Sequence, residues 1–244
     1  MFHPVKKRPL WPCLCGFAAL GLLVGCGGSN TVPGQTPLDA EQTDDSAHSG
    51  MSASAEIGAL DEGEVSDGFR QALPEMQRCL SEGSKRIEFI GGAITFSIKI
   101  NQDHKIVQAF AVDSTLGDRK TELCMFDALK HSSWPAPQGG VYGIAKNPFD
   151  FDAPNDVRAP VHWNESQVAA QRASLGGSIS SCKHGSNGHF VATLYIDTDG
   201  NPISGSVTPP DEAGESSVDC LVGVLLGAHY DAPGSWPAKV TFEL

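Results

Sequence analysis

The sequence predicts an α+β fold built twice from one small unit of helix, β-hairpin, helix and strand. Each unit is expected to form a three-stranded antiparallel sheet with both helices on one face. Three observations carry this. Ile94-Thr-Phe96-Ser-Ile98-Lys-Ile100 and Phe190-Val-Ala192-Thr-Leu194-Tyr-Ile196 alternate apolar with mostly polar residues, the pattern of a half-buried strand, and lie 96 positions apart. The same offset relates Thr121, Cys124, Met125, Ala128 and Leu129 to Ser217, Cys220, Leu221, Val224 and Leu225, a stripe at helical spacing. Each unit also holds two cysteines, one near the end of its first helix and one inside its second.

The chain begins with a different signal. Lys6, Lys7 and Arg8 precede an apolar run from Cys13 to Gly25, a short export signal of about a dozen residues. Leu23-Val24-Gly25-Cys26 resembles the bacterial lipobox. That resemblance implies cleavage after residue 25, a lipid on Cys26 and membrane attachment through it, with outer-membrane residence expected from Gly27. Loss of Lys6, Lys7 and Arg8 would deepen the net charge of −12 by three units. So acidic a surface argues against nucleic-acid binding and against electrostatic attraction to anionic lipid. Residues 26–64 are poor in aromatic and large aliphatic side chains and read as a disordered tether.

The first unit is placed at residues 65–152. Val65, Phe69, Ala72, Met76, Cys79 and Leu80 form the apolar face of its first helix, which Pro74 is expected to break or kink. A hairpin follows, turning at Asn101-Gln102-Asp103-His104, with its second strand over Ile106 to Val112. The next helix takes Asp118 as N-cap, and Ser133-Trp134-Pro135 precedes a closing strand over Val141 to Ala145. A linker is expected at 153–163. The second unit, 164–244, opens with Asn164 as N-cap and a face of Val168, Arg172, Leu175, Ile179 and Cys182, weakened by Gly176 and Gly177. Its hairpin turns at Asp197-Thr198-Asp199-Gly200-Asn201 and returns over Ile203 to Val207. Ser235-Trp236-Pro237 leads to the final strand, Lys239 to Leu244.

Cys13 and Cys15 fall in the export signal and Cys26 carries lipid, which leaves Cys79, Cys124, Cys182 and Cys220. An even set in an exported chain points to disulfides, with three connectivities open. Two helices on one face of a small sheet would bring each unit's own pair together. The expectation is therefore Cys79–Cys124 and Cys182–Cys220, each bridge contributing about 4 kcal/mol through its closed loop. A structural zinc site is disfavoured because the four thiols contain no C-x₂-C pair.

The order of these elements resembles the TonB C-terminal domain family. The resemblance is strongest to the cysteine-bearing version of myxobacterial gliding-motility and envelope proteins. Arg78-Cys79-Leu80 ends the first helix, Asp199-Gly200-Asn201 makes the hairpin turn, and Trp134-Pro135 precedes the last strand. Gly139-Gly140 leading to Asn147-Pro148-Phe149-Asp150-Phe151 resembles the family's closing strand. What the resemblance implies is recognition of an extended peptide at an exposed sheet edge, with no catalysis. The edge expected to do this is the strand after each Ser-Trp-Pro, with Val141 and Ile144 in the first unit and Val240 and Phe242 in the second.

Sharper chemical readings are weak. Asp197 to Asn201 begins like a calcium loop but has Thr208 where a bidentate Glu is needed. Cys182, His184 and His189 could hold a metal but flank a polar loop. Trp134 and Trp236 read as core plugs in preference to a ligand platform. No G-x-S-x-G, H-E-x-x-H, Walker or dinucleotide motif occurs. The expectation is a non-enzymatic, lipid-anchored envelope adaptor that takes an envelope protein or extended peptide, with no cofactor, metal or small-molecule substrate. A structural surface lipoprotein is the second reading and an unrecognised enzyme the third.

Overall fold

The computed structural model describes residues 55–154, 156–186 and 188–244. The tether's first part, the export signal and Cys26 lie outside them. In the first repeat, β1 (Ala55–Ile57), α1 (Glu62–Ser84), β2 (Gly92–Asn101), β3 (Ile106–Ser114), α2 (Arg119–Lys130) and β4 (Gly140–Phe151) follow one another. The second runs β5 (Val161–Trp163), a 3-10 turn over Glu165–Gln167, α3 (Ala169–Cys182), β6 (Val191–Ile196), β7 (Pro202–Thr208), α4 (Glu215–Leu226) and β8 (Ala238–Glu243). The fold is α+β in two like halves. Among the described residues no helix is long and apolar enough to cross a membrane.

Each sheet has four strands and is mixed, in the orders β1-β4-β2-β3 and β5-β8-β6-β7. The expected three-stranded antiparallel sheets are thus corrected. A short strand ahead of each first helix adds in parallel to the closing strand, with Ile57 opposite Tyr142 and Trp163 opposite Val240. Residues 55–64, read as the end of the tether, hold β1 and the start of α1. Asp61 caps α1 by accepting from the Glu64 N–H at 2.9 Å. In the second repeat Asn164, expected to cap the helix, instead caps the 3-10 turn ahead of it, its side chain accepting from Ser166 N–H in a capping box closed by Gln167. The helix α3 itself takes Val168 at its N-cap position, without a side-chain cap.

Two further expectations change. The helix α1 runs through Pro74 without ending. Pro74 sits on the exposed side, where the carbonyl deprived of its partner faces water. Asp118 does occupy the N-cap position of α2, but its side chain makes no capping bond.

The first core packs Phe69, Met76, Phe96, Phe126 and Trp134 between the helices and the sheet, with Phe69 and Trp134 edge to face at 5.0 Å. The second is mostly aliphatic, around Val168, Leu194, Val218, Leu221 and Val240. Trp134 donates its indole N–H to Leu129 O at 2.8 Å, and Tyr230 donates its hydroxyl to Leu225 O at 3.1 Å, each five residues back. The 96-residue offset therefore makes Tyr230 the counterpart of Trp134. Trp236, expected as a core plug, is only partly buried and lies over Phe89 of the first repeat, ring centroids 6.2 Å apart. The loop after α4 is longer than the loop after α2, and this moves the second Ser-Trp-Pro out of register.

The described residues form one compact unit, and the repeats meet along a seam. The face of the second sheet turned away from its helices carries Thr193 and Tyr195, both fully buried. Tyr195 packs beside Phe89, ring centroids 5.6 Å apart, and its hydroxyl donates to Gly91 O at 3.2 Å. Gly117, at φ +72, lies so close beneath the same ring that a Cβ there would come within 2.9 Å of Tyr195. Lys99, the counterpart of Tyr195, approaches Glu212 at 3.8 Å from the other side. Arg119 donates to Glu215 at 2.7 Å, and these two stand 96 residues apart, at equivalent positions of α2 and α4. The seam therefore has a pseudo-two-fold character, each repeat offering its β-strand-to-helix loop to the other's sheet.

Candidate functional site

Two arrangements could carry function. The first is the outer edge of β4. Gly58 N–H donates to Tyr142 O at 2.7 Å, so the even-numbered residues of β4 turn their backbone groups away from β2. β1 covers only Gly140 to Tyr142. From Ile144 to Asp150 no strand among the described residues pairs with that side. Pro148, which has no N–H to offer, sits in this outward set, as is usual for an edge. Beside the edge, the first turns of α1 and the strand enclose a groove of about 320 Å³ lined by Leu60, Val65, Phe69, Ile144 and Ala145. Glu62 stands on its helix side and Lys146 on its strand side.

Of the expected edge residues, Val141 and Ile144 are nearly half exposed. Val240 and Phe242 are buried in the second core and cannot meet a ligand. The backbone side of this expected edge is taken as well, since β5 occupies the far side of β8 at Ala238 to Val240. Past Val240, Arg172 donates to Glu243 O at 2.9 Å and Lys183 to Leu244 O at 2.9 Å, closing the end of the strand. The expected second edge is thus not free. The four expected cysteines form the bridges Cys79–Cys124 and Cys182–Cys220, with Cα atoms 5.8 and 5.6 Å apart. Cys182 is therefore not a metal ligand, and His189 lies beside Glu243. Cys26 is outside the described residues.

The second arrangement is a buried polar network in the seam, which the sequence did not announce. Asp118 accepts from Arg86, from Thr121 Oγ1 at 2.6 Å and, across the seam, from Ser204 Oγ at 2.6 Å. Glu122 is 1% exposed and accepts from Ser114 Oγ at 2.6 Å. Burial pushes its carboxyl above the usual carboxylate range, against the pull of Ser114 and of Arg119. Ser206, also buried, stands near that carboxyl, but its hydroxyl falls short of hydrogen-bond geometry. Burial likewise raises Glu215, opposed by the Arg119 guanidinium. Arg119 reaches Asp219 at 2.8 Å as well. With Glu122 and Asp118 both buried and bonded to side chains of the two repeats, the network contributes to the packing between them.

One signal could have exposed this network. Arg119 and Glu215 occupy matched positions in the duplication with opposite charges, the signature of counterparts that face each other. No protein-family model, no curated protein and no solved structure matches this chain.

Proposed function

We propose that this chain is a lipid-anchored cell-envelope protein of the TonB C-terminal type that binds an extended peptide along the outer edge of β4 and performs no catalysis. The observation that carries this reading is the unpaired run from Ile144 to Asp150 beside an apolar groove. A row of free backbone groups supplies affinity to an added strand, and the groove supplies a seat for alternate side chains. The order helix, hairpin, helix, strand in both repeats supports the family reading. The lipobox at Leu23 to Cys26 supports attachment through Cys26, with reach supplied by the tether.

The test is selection from a random-peptide display library on the full chain, followed by amide exchange of the complex. Selected peptides should protect the amides of Ile144, Lys146 and Asp150. Lys146→Pro deletes one outward N–H without touching the ladder to β2, and should abolish capture. Unchanged capture by folded Lys146→Pro, or protection confined to other strands, overturns the edge reading. A second reading, a purely structural surface lipoprotein, is favoured by the closed edge of the second repeat, and failure of every selection would move the assignment there. Separately, Cys26→Ser should leave a precursor that neither incorporates labelled palmitate nor is trimmed; normal processing would remove the lipid anchor from the proposal.

A further inference from the structure

Between the repeats, beneath the linker, a cleft of about 410 Å³ is walled by Phe89, Phe151, Val157 and Pro160. Lys239 enters it from β8. Its Nζ donates to Gly91 O at 2.7 Å and lies 5.1 Å from the centre of the Tyr195 ring. Among the described residues no carboxylate comes within ion-pair distance of that ammonium. Asp150 and Asp152 line the cleft too, but both are exposed, at its mouth.

An ammonium partly stripped of water, with one carbonyl partner and donors left over, attracts an anion. The wall gives that anion an apolar body to bury, and the carboxylates at the mouth repel a second negative charge. We propose that the cleft binds a small monocarboxylate with an apolar body, its carboxylate on Lys239 Nζ and its body against Phe89 and Phe151. Burial draws the Lys239 amine down to about 8, so it is still mostly protonated at neutral pH and an anion beside it should restore its ordinary value. The site is distinct from the β4 edge and does not depend on the peptide reading.

The experiment uses the full chain labelled with ¹⁵N-lysine, titrated with phenylacetate and followed at the Lys239 Nζ resonance, identified by its loss in Lys239→Met. Phenylacetate should move that resonance to saturation and raise the amine's titration above about 8. Phenylmalonate, with two negative charges, and benzyl alcohol, with none, should bind more weakly. Lys239→Met should weaken phenylacetate binding about tenfold or more, and Lys239→Arg should keep it. A Lys239 signal and titration unmoved by phenylacetate overturn the proposal whatever the variants do. So does equal binding by Lys239→Met, or a shift of the same size with benzyl alcohol.

Discussion

The two repeats share one blueprint and have diverged in what they leave open. The first builds its core on interlocked aromatic rings and keeps a long closing strand, β4, that outruns its short parallel neighbour β1. The second has a mostly aliphatic core, and its closing strand of 6 residues is flanked by β5 and sealed by Arg172 and Lys183. Its sheet is buried on both faces, since Thr193 and Tyr195 meet the first repeat while Ala192, Leu194 and Ile196 meet its own helices. The first repeat is thus the one with a surface to offer, and the second is the one that supports it.

The largest test of that division removes a bridge. Replacing Cys79 and Cys124 together by Ala should cost about 4 kcal/mol, and so should replacing Cys182 and Cys220. The sequence alone predicts that loss of Cys79 harms only the first unit. With the seam present, calorimetry should show a single transition that falls in both variants; two separating transitions would mean that the repeats fold independently. The next test concerns counterparts. Trp134→Ala should cost about 3–5 kcal/mol, whereas Trp236→Ala, partly exposed, should cost about 1 kcal/mol. Tyr230→Phe, which deletes the bond to Leu225 O, should also cost about 1 kcal/mol by urea unfolding. A larger loss at Trp236 than at Trp134 would restore the Ser-Trp-Pro match as the true alignment.

The seam gives the third. Arg119→Met leaves Glu215 without its cation and should destabilise by about 2 kcal/mol, less than a fully buried pair because Asp219 stays in water. Glu122 provides a pH-dependent test. Its folded carboxyl titrates above its unfolded value, so its contribution to stability is greatest in acid and is lost as pH rises through the folded pKa. Arg119 pulls that value down and Asp118 pushes it up, without reversing the direction. Glu122→Gln should therefore match the wild type in acid and gain on it toward neutral pH. The smallest effect is expected at Lys146→Pro, whose missing N–H faces outward and should cost less than about 1 kcal/mol.

Much of this fold is legible in the sequence because its signals are periodic. Ile94 to Ile100 and Phe190 to Ile196 announce strands by their alternation, although the second is buried on both faces where half-burial was expected. The helical stripes bring Cys124 and Cys220 to the faces where their partners wait. What escaped detection was short or relational. Ala55–Ile57 and Val161–Trp163 are too brief to show any period, and each becomes a strand only because β4 or β8 is there to receive it. The second of them is what turned the expected edge of β8 into an interior strand. Trp236 misled because a dipeptide match outweighed the spacing, while Tyr230, with no motif around it, kept the geometry of Trp134. Ser204 and Ser206 gave no sign of burial, since small hydroxyl residues on a strand ordinarily face water.

The meeting of Arg119 with Glu215 has a consequence for partner choice. Each lies where its own counterpart would lie if two identical repeats met in this manner. A seam between two first repeats would press arginine on arginine, and a seam between two second repeats would press glutamate on glutamate. Only the mixed pairing brings opposite charges together, so the charges act as a sorting rule that admits unlike halves and turns away like ones. Two chains joining through this surface could do so only by exchanging halves, first repeat of one against second repeat of the other. The covalent link between the halves gives the mixed pairing within one chain the advantage of proximity.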